Sequence, residues 1–218
     1  MQLLLATNNA DKHRELVKIL GGTTFQKKQI NVFRPAQLES SLLPTKPIIE
    51  DGDSFRDNAR IKARAFSDRA GRHGYWVLAE DSGIVVDALP DELGVRSKRW
   101  FAEGDETVEG DNARNRELLR RLEGVEAGRR GASYVCSVIM LGPDAREYFH
   151  AYGTCDLQVL EAEDLVSTGG FAYDRITRPL DLPDARSMAA LSDEEKNRIS
   201  HRGRALQQLR EFLAHSNH

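Results

Sequence analysis

The chain has 218 residues, of which 40% are hydrophobic and 30% charged, enough apolar matter for one sizeable core and too much for a disordered protein. Against 31 Lys and Arg stand 34 Asp and Glu, a net charge of −3, which argues against bulk nucleic-acid binding. The apolar start, Met1 to Ala6, is too short for a signal peptide, and no run of about 18 apolar residues follows, so no membrane span and a cytoplasmic location are expected. Cys136 and Cys155 lack the spacing of a zinc or redox pair and read as reduced, buried thiols.

In chain order, residues 3–6 read as a short buried strand. A helix is expected over 11–20, with Leu16, Ile19 and Leu20 on one side and Gly21 and Gly22 ending it. A second short strand covers 30–33. The clearest helix runs over 54–70. Ser54 and Asp57 resemble a capping box, and Phe55, Ala59, Ala63, Phe66 and Ala70 recur at helical spacing. Strands at 75–79 and 84–88 flank the polar group Glu80-Asp81-Ser82-Gly83. A helix rich in Arg and Glu follows at 109–122. Residues 133–141 and 148–160 read as two long strands paired through a turn at Gly142-Pro143-Asp144. Near the end, Ser192 and Glu195 form a second capping box, and Ile199, Leu206, Leu209 and Leu213 mark an apolar helical face. Alternating strands and helices indicate an α/β fold, and the hairpin makes its sheet mixed. No repeat or Pro/Gly-rich linker divides the chain, which reads as one domain, 1–218.

Five polar groups could carry chemistry. Thr7-Asn8-Asn9-Ala10-Asp11-Lys12 lies between a strand and a helix, where free backbone N–H groups suit phosphate. Without glycines it is no Walker-type loop, and alone it reads as a polar turn. Glu80 and Asp81 are adjacent carboxylates that either stand solvated in a turn or need a partner such as Mg²⁺ with its oxygen ligands. Glu50, Asp51 and Asp53 form a second acidic cluster that could meet the first at one metal. Ser97-Lys98-Arg99 reads as surface charge by spacing alone. Thr168 to Asp174 reads as a pocket-shaping loop in which an exposed aromatic could stack on a base, or whose aromatics pack on the core. Residues 196–203 gather several donors, or form a solvated basic helix end.

Taken together and in order, LATNNADKHREL, EDGDSFRDNARIKA, AEDSGIVVDAL, GVRSKRW, GGFAYD and EEKNRISHRGRAL resemble the Ham1-type family of inosine triphosphate pyrophosphatases. The resemblance runs from about Leu3 to Leu206. It implies an elongated, two-lobed α/β fold with a long, twisted mixed sheet flanked by helices and an active-site groove between the lobes. It also implies a homodimer that hydrolyses ITP, dITP and XTP to nucleoside monophosphate and pyrophosphate with Mg²⁺, cleansing the nucleotide pool. No nucleic-acid or membrane partner is expected. By position, Asp81 matches the general base and a metal ligand, and Glu50 the other metal carboxylate. Lys12 matches a catalytic cation. Thr7, Asn8, Asn9, Ala10, Asp11 and Lys12 match the phosphate turn, and Ser82 a substrate contact. Phe171, Ala172, Tyr173, Asp174, Lys196, His201 and Arg202 match the nucleobase pocket. Donors there suit the 6-oxo group of hypoxanthine and xanthine. Facing the amino group of adenine they stay unpaired, at about 1–3 kcal/mol each. Guanine also carries a 6-oxo group, so donors alone do not account for rejection of GTP. The chain departs from the family at Ala172, where glycine is usual, at Arg175, where proline is usual, and at Glu80, where Asp is usual. These changes bear on base preference more than on hydrolysis. The alternatives are the same hydrolysis with altered base preference, and a nucleotide-binding protein without turnover.

Overall fold

A computed structural model describes residues 1–101, 107–165 and 171–216. Its strands are β1 (Gln2–Leu5), β2 (Thr24–Phe25), β3 (Lys28–Gln29), β4 (Asn31–Phe33), β5 (Trp76–Val86), β6 (Gly131–Leu141), β7 (Glu147–Val159) and β8 (Thr177–Pro179). Its α-helices are α1 (Ala10–Leu20), α2 (Phe55–Ala70), α3 (Val108–Arg121), α4 (Asp193–Ile199) and α5 (His201–His215). Among the described residues six strands form one sheet in the order β4-β1-β5-β6-β7-β8. It is mixed: β1 runs parallel to β4 and β5, and β8 antiparallel to β7. The chain forms two compact units.

Unit 1 comprises Met1–Asp81, Cys136–Gly153 and Arg202–His218. Its sheet has two apolar faces. Leu3, Leu5, Leu78, Cys136, Val138 and Met140 pack with Leu16, Ile19 and Leu20 of α1 and Leu206, Leu209 and Leu213 of α5. Leu4, Val77, Ala79, Ile139 and Leu141 pack with Ala59, Ala63 and Phe66 of α2. Successive strand residues point to opposite faces. Glu80 therefore follows Leu78 toward α1 and α5, and Asp81 follows Val77 and Ala79 toward α2.

Unit 2 comprises Ser82–Val135 and Thr154–His201. Its core joins Ile84, Val86, Leu118, Leu122, Tyr134, Leu157, Tyr173 and Ile199. Arg130 is buried and donates to the carbonyls of Leu122, Val159 and Leu160, so its charge is spread over three backbone acceptors.

The main difference from expectation is β5. The strands expected at 75–79 and 84–88 are one strand, Trp76–Val86, running straight through Glu80 and Asp81. Polar residues signalled a break, but each carboxylate has partners that make burial tolerable. The two-residue hairpin between β2 and β3 also escaped the sequence pattern. Its loop residues Gln26 and Lys27 have positive φ without glycine, the usual mark of such a turn. The C-terminal helix breaks at Ser200 into α4 and α5. Asn9 and Ser54 cap α1 and α2, and the Ser192–Glu195 capping box forms. Among the described residues no helix is long and apolar enough to cross a membrane.

Candidate active site

Asp81 sits mid-strand on the α2 face, beside two side chains of one face of that helix. Asn58 Nδ2 donates to Asp81 Oδ2 at 3.2 Å. Four residues on, Lys62 Nζ donates to Asp81 Oδ1 at 3.4 Å and to Glu50 Oε2 at 2.7 Å. Asn58 also accepts the Gly52 N–H at 2.8 Å, which fastens the chain next to Glu50. Gly52 is needed there: an added Cβ would lie 2.7 Å from the Asp57 Cβ. Burial raises the Asp81 pKa, Lys62 opposes the rise and Glu50 adds to it. Burial would lower the Lys62 pKa, but Asp81 and Glu50 outweigh it, so the ammonium stays charged. One cation thus holds two carboxylates at one place. Two carboxylates suit Mg²⁺, which is commonly held by one or two of them with waters and substrate phosphates. Among the described residues no group of three or more His, Cys, Asp or Glu could hold a metal, so oxygens from water or ligand would complete this one. Asp51 and Asp53 are exposed.

Glu80 serves a different face. Lys12 Nζ lies 2.6 Å from Glu80 Oε1, and Arg202 Nε 2.9 Å from Oε2. Arg202 Nη1 also reaches Glu15 Oε2 at 3.3 Å. Burial would raise the Glu80 pKa, yet Arg202 and Lys12 overcome it and hold the carboxyl well below the usual range. Burial keeps Glu15 raised against the pull of Arg202. The adjacent acids of the sequence are therefore not a pair, because strand alternation turns them to opposite sides of the sheet.

The Thr7–Lys12 turn follows β1 at its carboxyl end, tied to β5 by the Ala6 N–H to the Leu78 carbonyl at 2.8 Å. Ligands of open α/β sheets bind outside such strand ends. Asn9 Oδ1 accepts the N–H groups of Asp11 and Lys12 and so caps α1. Thr7 Oγ1 accepts the Asn9 N–H, and Asn8 Oδ1 that of Ala36. Ala10 is exposed, and Asp11 pairs with Arg14.

In unit 2, Asp174 is buried and ties Phe171 to Lys196. Its Oδ2 accepts from the Phe171 N–H at 2.9 Å and from Lys196 Nζ at 3.1 Å. His201 is buried, 5.0 Å from the Tyr134 ring and 6.1 Å from that of Phe171. Tyr173 is no exposed stacking aromatic. It is fully buried in the core and donates its hydroxyl to the Ser97 carbonyl at 2.7 Å. Phe171, Ala172 and Ser82 are half-buried. Thr168, Gly169 and Gly170 lie outside the described residues. Arg202, grouped in sequence with Lys196 and His201, belongs to unit 1 and is engaged by Glu80 and Glu15. Ser97 is not surface charge's neighbour in solvent but a buried hydroxyl that accepts the Ile84 N–H at 2.9 Å and donates to the Gly94 carbonyl. Lys62 and Asn58 escaped the sequence reading. Their signal was four-residue spacing beside the apolar stripe of α2.

The model of the Ham1 family matches residues 3–212. The chain belongs to the Ham1 family. It is 41% identical over 212 residues to a dITP/XTP pyrophosphatase of Symbiobacterium thermophilum, covering 97% of this chain and 94% of that one. Its fold is similar to that of a Ham1 protein from Coxiella burnetii, with a TM-score of 0.80, 28% identity and 99% of each chain covered. A nucleoside-triphosphatase (dITP/XTP pyrophosphatase) from Mycobacterium abscessus gives a TM-score of 0.71 and 32% identity, with 96% of this Ham1 chain and 97% of the other covered.

Proposed function

We propose that this Ham1-family chain hydrolyses ITP, dITP and XTP to the nucleoside monophosphate and pyrophosphate, with Mg²⁺ as cofactor. The observation that carries the reading is the meeting of Asp81 and Glu50 at one ammonium in unit 1, the unit that also holds the Thr7–Lys12 turn. Relatives named dITP/XTP pyrophosphatase support the choice of substrate.

Asp81 accepts the proton of the attacking water. A pKa raised by burial makes it a better base, and Lys62 limits the rise. Glu50 and Asp81 would hold Mg²⁺, which when bound neutralises polyphosphate charge. Lys12 offers its ammonium to phosphate oxygens, and Glu80 holds that ammonium in place. Thr7, Asn8, Asn9, Ala10 and Asp11 shape the turn. Base contacts are assigned to Phe171, Ala172, Lys196 and His201, with Asp174 bonded to Phe171 and Lys196 and the Tyr173 ring beside Phe171. Arg202 is assigned to base recognition with part of its fork committed to Glu80 and Glu15. The protein is further proposed to act as a homodimer.

A second reading, hydrolysis with shifted base preference, has its own observation. Arg175 replaces a stiffening proline, and its guanidinium bonds to the Asp164 carbonyl at 3.0 Å and pairs with Glu163 at 3.4 Å. One experiment tests both readings. Purified protein with Mg²⁺ at alkaline pH is offered dITP, ITP, XTP, dATP and dGTP, and pyrophosphate is measured beside orthophosphate. Pyrophosphate from dITP, ITP and XTP is expected. Intact dITP, or release of orthophosphate, removes the first reading, and faster turnover of dATP or dGTP favours the second.

A further inference from the structure

β4 ends at Phe33, and Arg34 comes next. Because β4 runs parallel to β1, with Phe33 opposite Leu4, Arg34 emerges at the same sheet end as the Thr7–Lys12 turn. The two segments are latched together. Asn8 Oδ1 accepts the Ala36 N–H at 3.0 Å, and Arg34 Nη1 reaches the Asn8 carbonyl at 3.4 Å. Gln37 Oε1 accepts the Arg34 N–H at 2.8 Å, which fixes the backbone from which the side chain leaves.

The other cations around the turn and the two carboxylates are answered by acids. Lys12 pairs with Glu80, Arg202 with Glu80 and Glu15, Lys62 with Glu50 and Asp81, and Arg14 with Asp11. Arg34 differs. Among the described residues no carboxylate pairs with it, and its Nε is out of solvent with no acceptor. A buried donor without an acceptor is a standing cost that a ligand oxygen removes. The guanidinium is also the side chain best matched to phosphate, through its planar fork.

We propose that Arg34 binds the oxygens of the pyrophosphate leaving group, an assignment that rests on the hydrolytic reading above. The strand order decides which end of the substrate it meets. Asp81 stands on β5, whereas Arg34 follows β4, two strands away and three residue steps back along the sheet, roughly 10 Å across and roughly 10 Å along. A triphosphate attacked beside Asp81 brings its distal phosphates, not its α-phosphate, across β1 toward β4. The distal pair also carries the charge that grows as the bond breaks, so the contact strengthens toward product.

The test compares wild type with Arg34→Ala and Arg34→Lys, using pyrophosphate, inorganic tripolyphosphate and dIMP as separate titrants beside dITP turnover. For Arg34→Ala, binding of pyrophosphate and tripolyphosphate is expected to weaken about tenfold, as for loss of a charge-assisted hydrogen bond, and dIMP binding to stay unchanged. Arg34→Lys is expected to recover part of the loss. Unchanged pyrophosphate and tripolyphosphate affinity overturns the proposal. So does equal weakening for dIMP, which marks a general loosening of the turn, and so does a wild type that binds neither probe. A wild type that binds pyrophosphate but leaves dITP intact removes the hydrolytic reading, while the Arg34→Ala titration still decides whether Arg34 holds the anion.

Discussion

The chemistry of Asp81 depends on what is around its carboxylate more than on the residue itself. Burial raises its pKa, and one ammonium on α2 limits the rise. Asp81→Asn keeps the shape and the Asn58 contact but cannot take a proton. Turnover of dITP is expected to fall at least about 100-fold, the lower range for a lost general base, with nucleotide affinity retained. Steady-state rates beside a binding titration check this, and a variant within tenfold of wild type would release Asp81 from the role of base. The reading of residues divides here. Asp81, Glu50 and Lys12 could be picked out from motif order. Lys62, Asn58 and Arg34 could not, because a polar residue beside an apolar stripe, or after a short strand, looks solvated until the facing element is known. The adjacency of Glu80 and Asp81 even misled, since neighbours on a strand face apart.

At the scale of elements, apolar stripes predicted α1 and α2 closely, and a run rich in Arg and Glu predicted α3. Apolar runs predicted β6 and β7. The failure at β5 has one cause: a carboxylate breaks a strand pattern unless a cation waits for it, and Lys12 and Arg202 come from distant elements. Helix α3 offers a measurable electrostatic counterpart. Glu117 accepts from Arg120 three residues on and Arg121 four residues on, and the Arg120 bond leads in pushing its pKa down to about 2 from 4.5. A depressed carboxyl stabilises the fold above its ordinary value and loses that contribution as pH falls through the lower one. Both arginines are exposed, so the effect stays within about 1 kcal/mol. Glu117→Gln is expected to lower the urea midpoint at pH 6, and the gap to wild type is expected to close between pH 4.5 and 2. A gap that persists unchanged at the acid end would show that packing, not charge, makes the difference.

At the scale of the whole molecule, the division into two units follows no linker. It cuts β5 between Asp81 and Ser82, β6 between Val135 and Cys136, and β7 between Gly153 and Thr154. A sequence scan for Pro/Gly-rich boundaries has nothing to detect in such a division, which is why the chain reads as one domain. Three continuous strands also have an energetic consequence. Unfolding one unit is expected to fray strands whose other halves belong to the second. Leu118 is fully buried in the unit 2 core, and Leu118→Ala is expected to cost about 2–5 kcal/mol. Trp76 reports on unit 1, where it packs edge-on against Phe25 at 4.9 Å. With Trp100→Phe as background, Trp76 is the only tryptophan of the chain. Its fluorescence transition in urea is expected to move down with Leu118→Ala by the same amount as the far-ultraviolet signal. If the Trp76 midpoint stays where it was while the far-ultraviolet signal loses an early phase, the units unfold separately and the shared strands do not couple them.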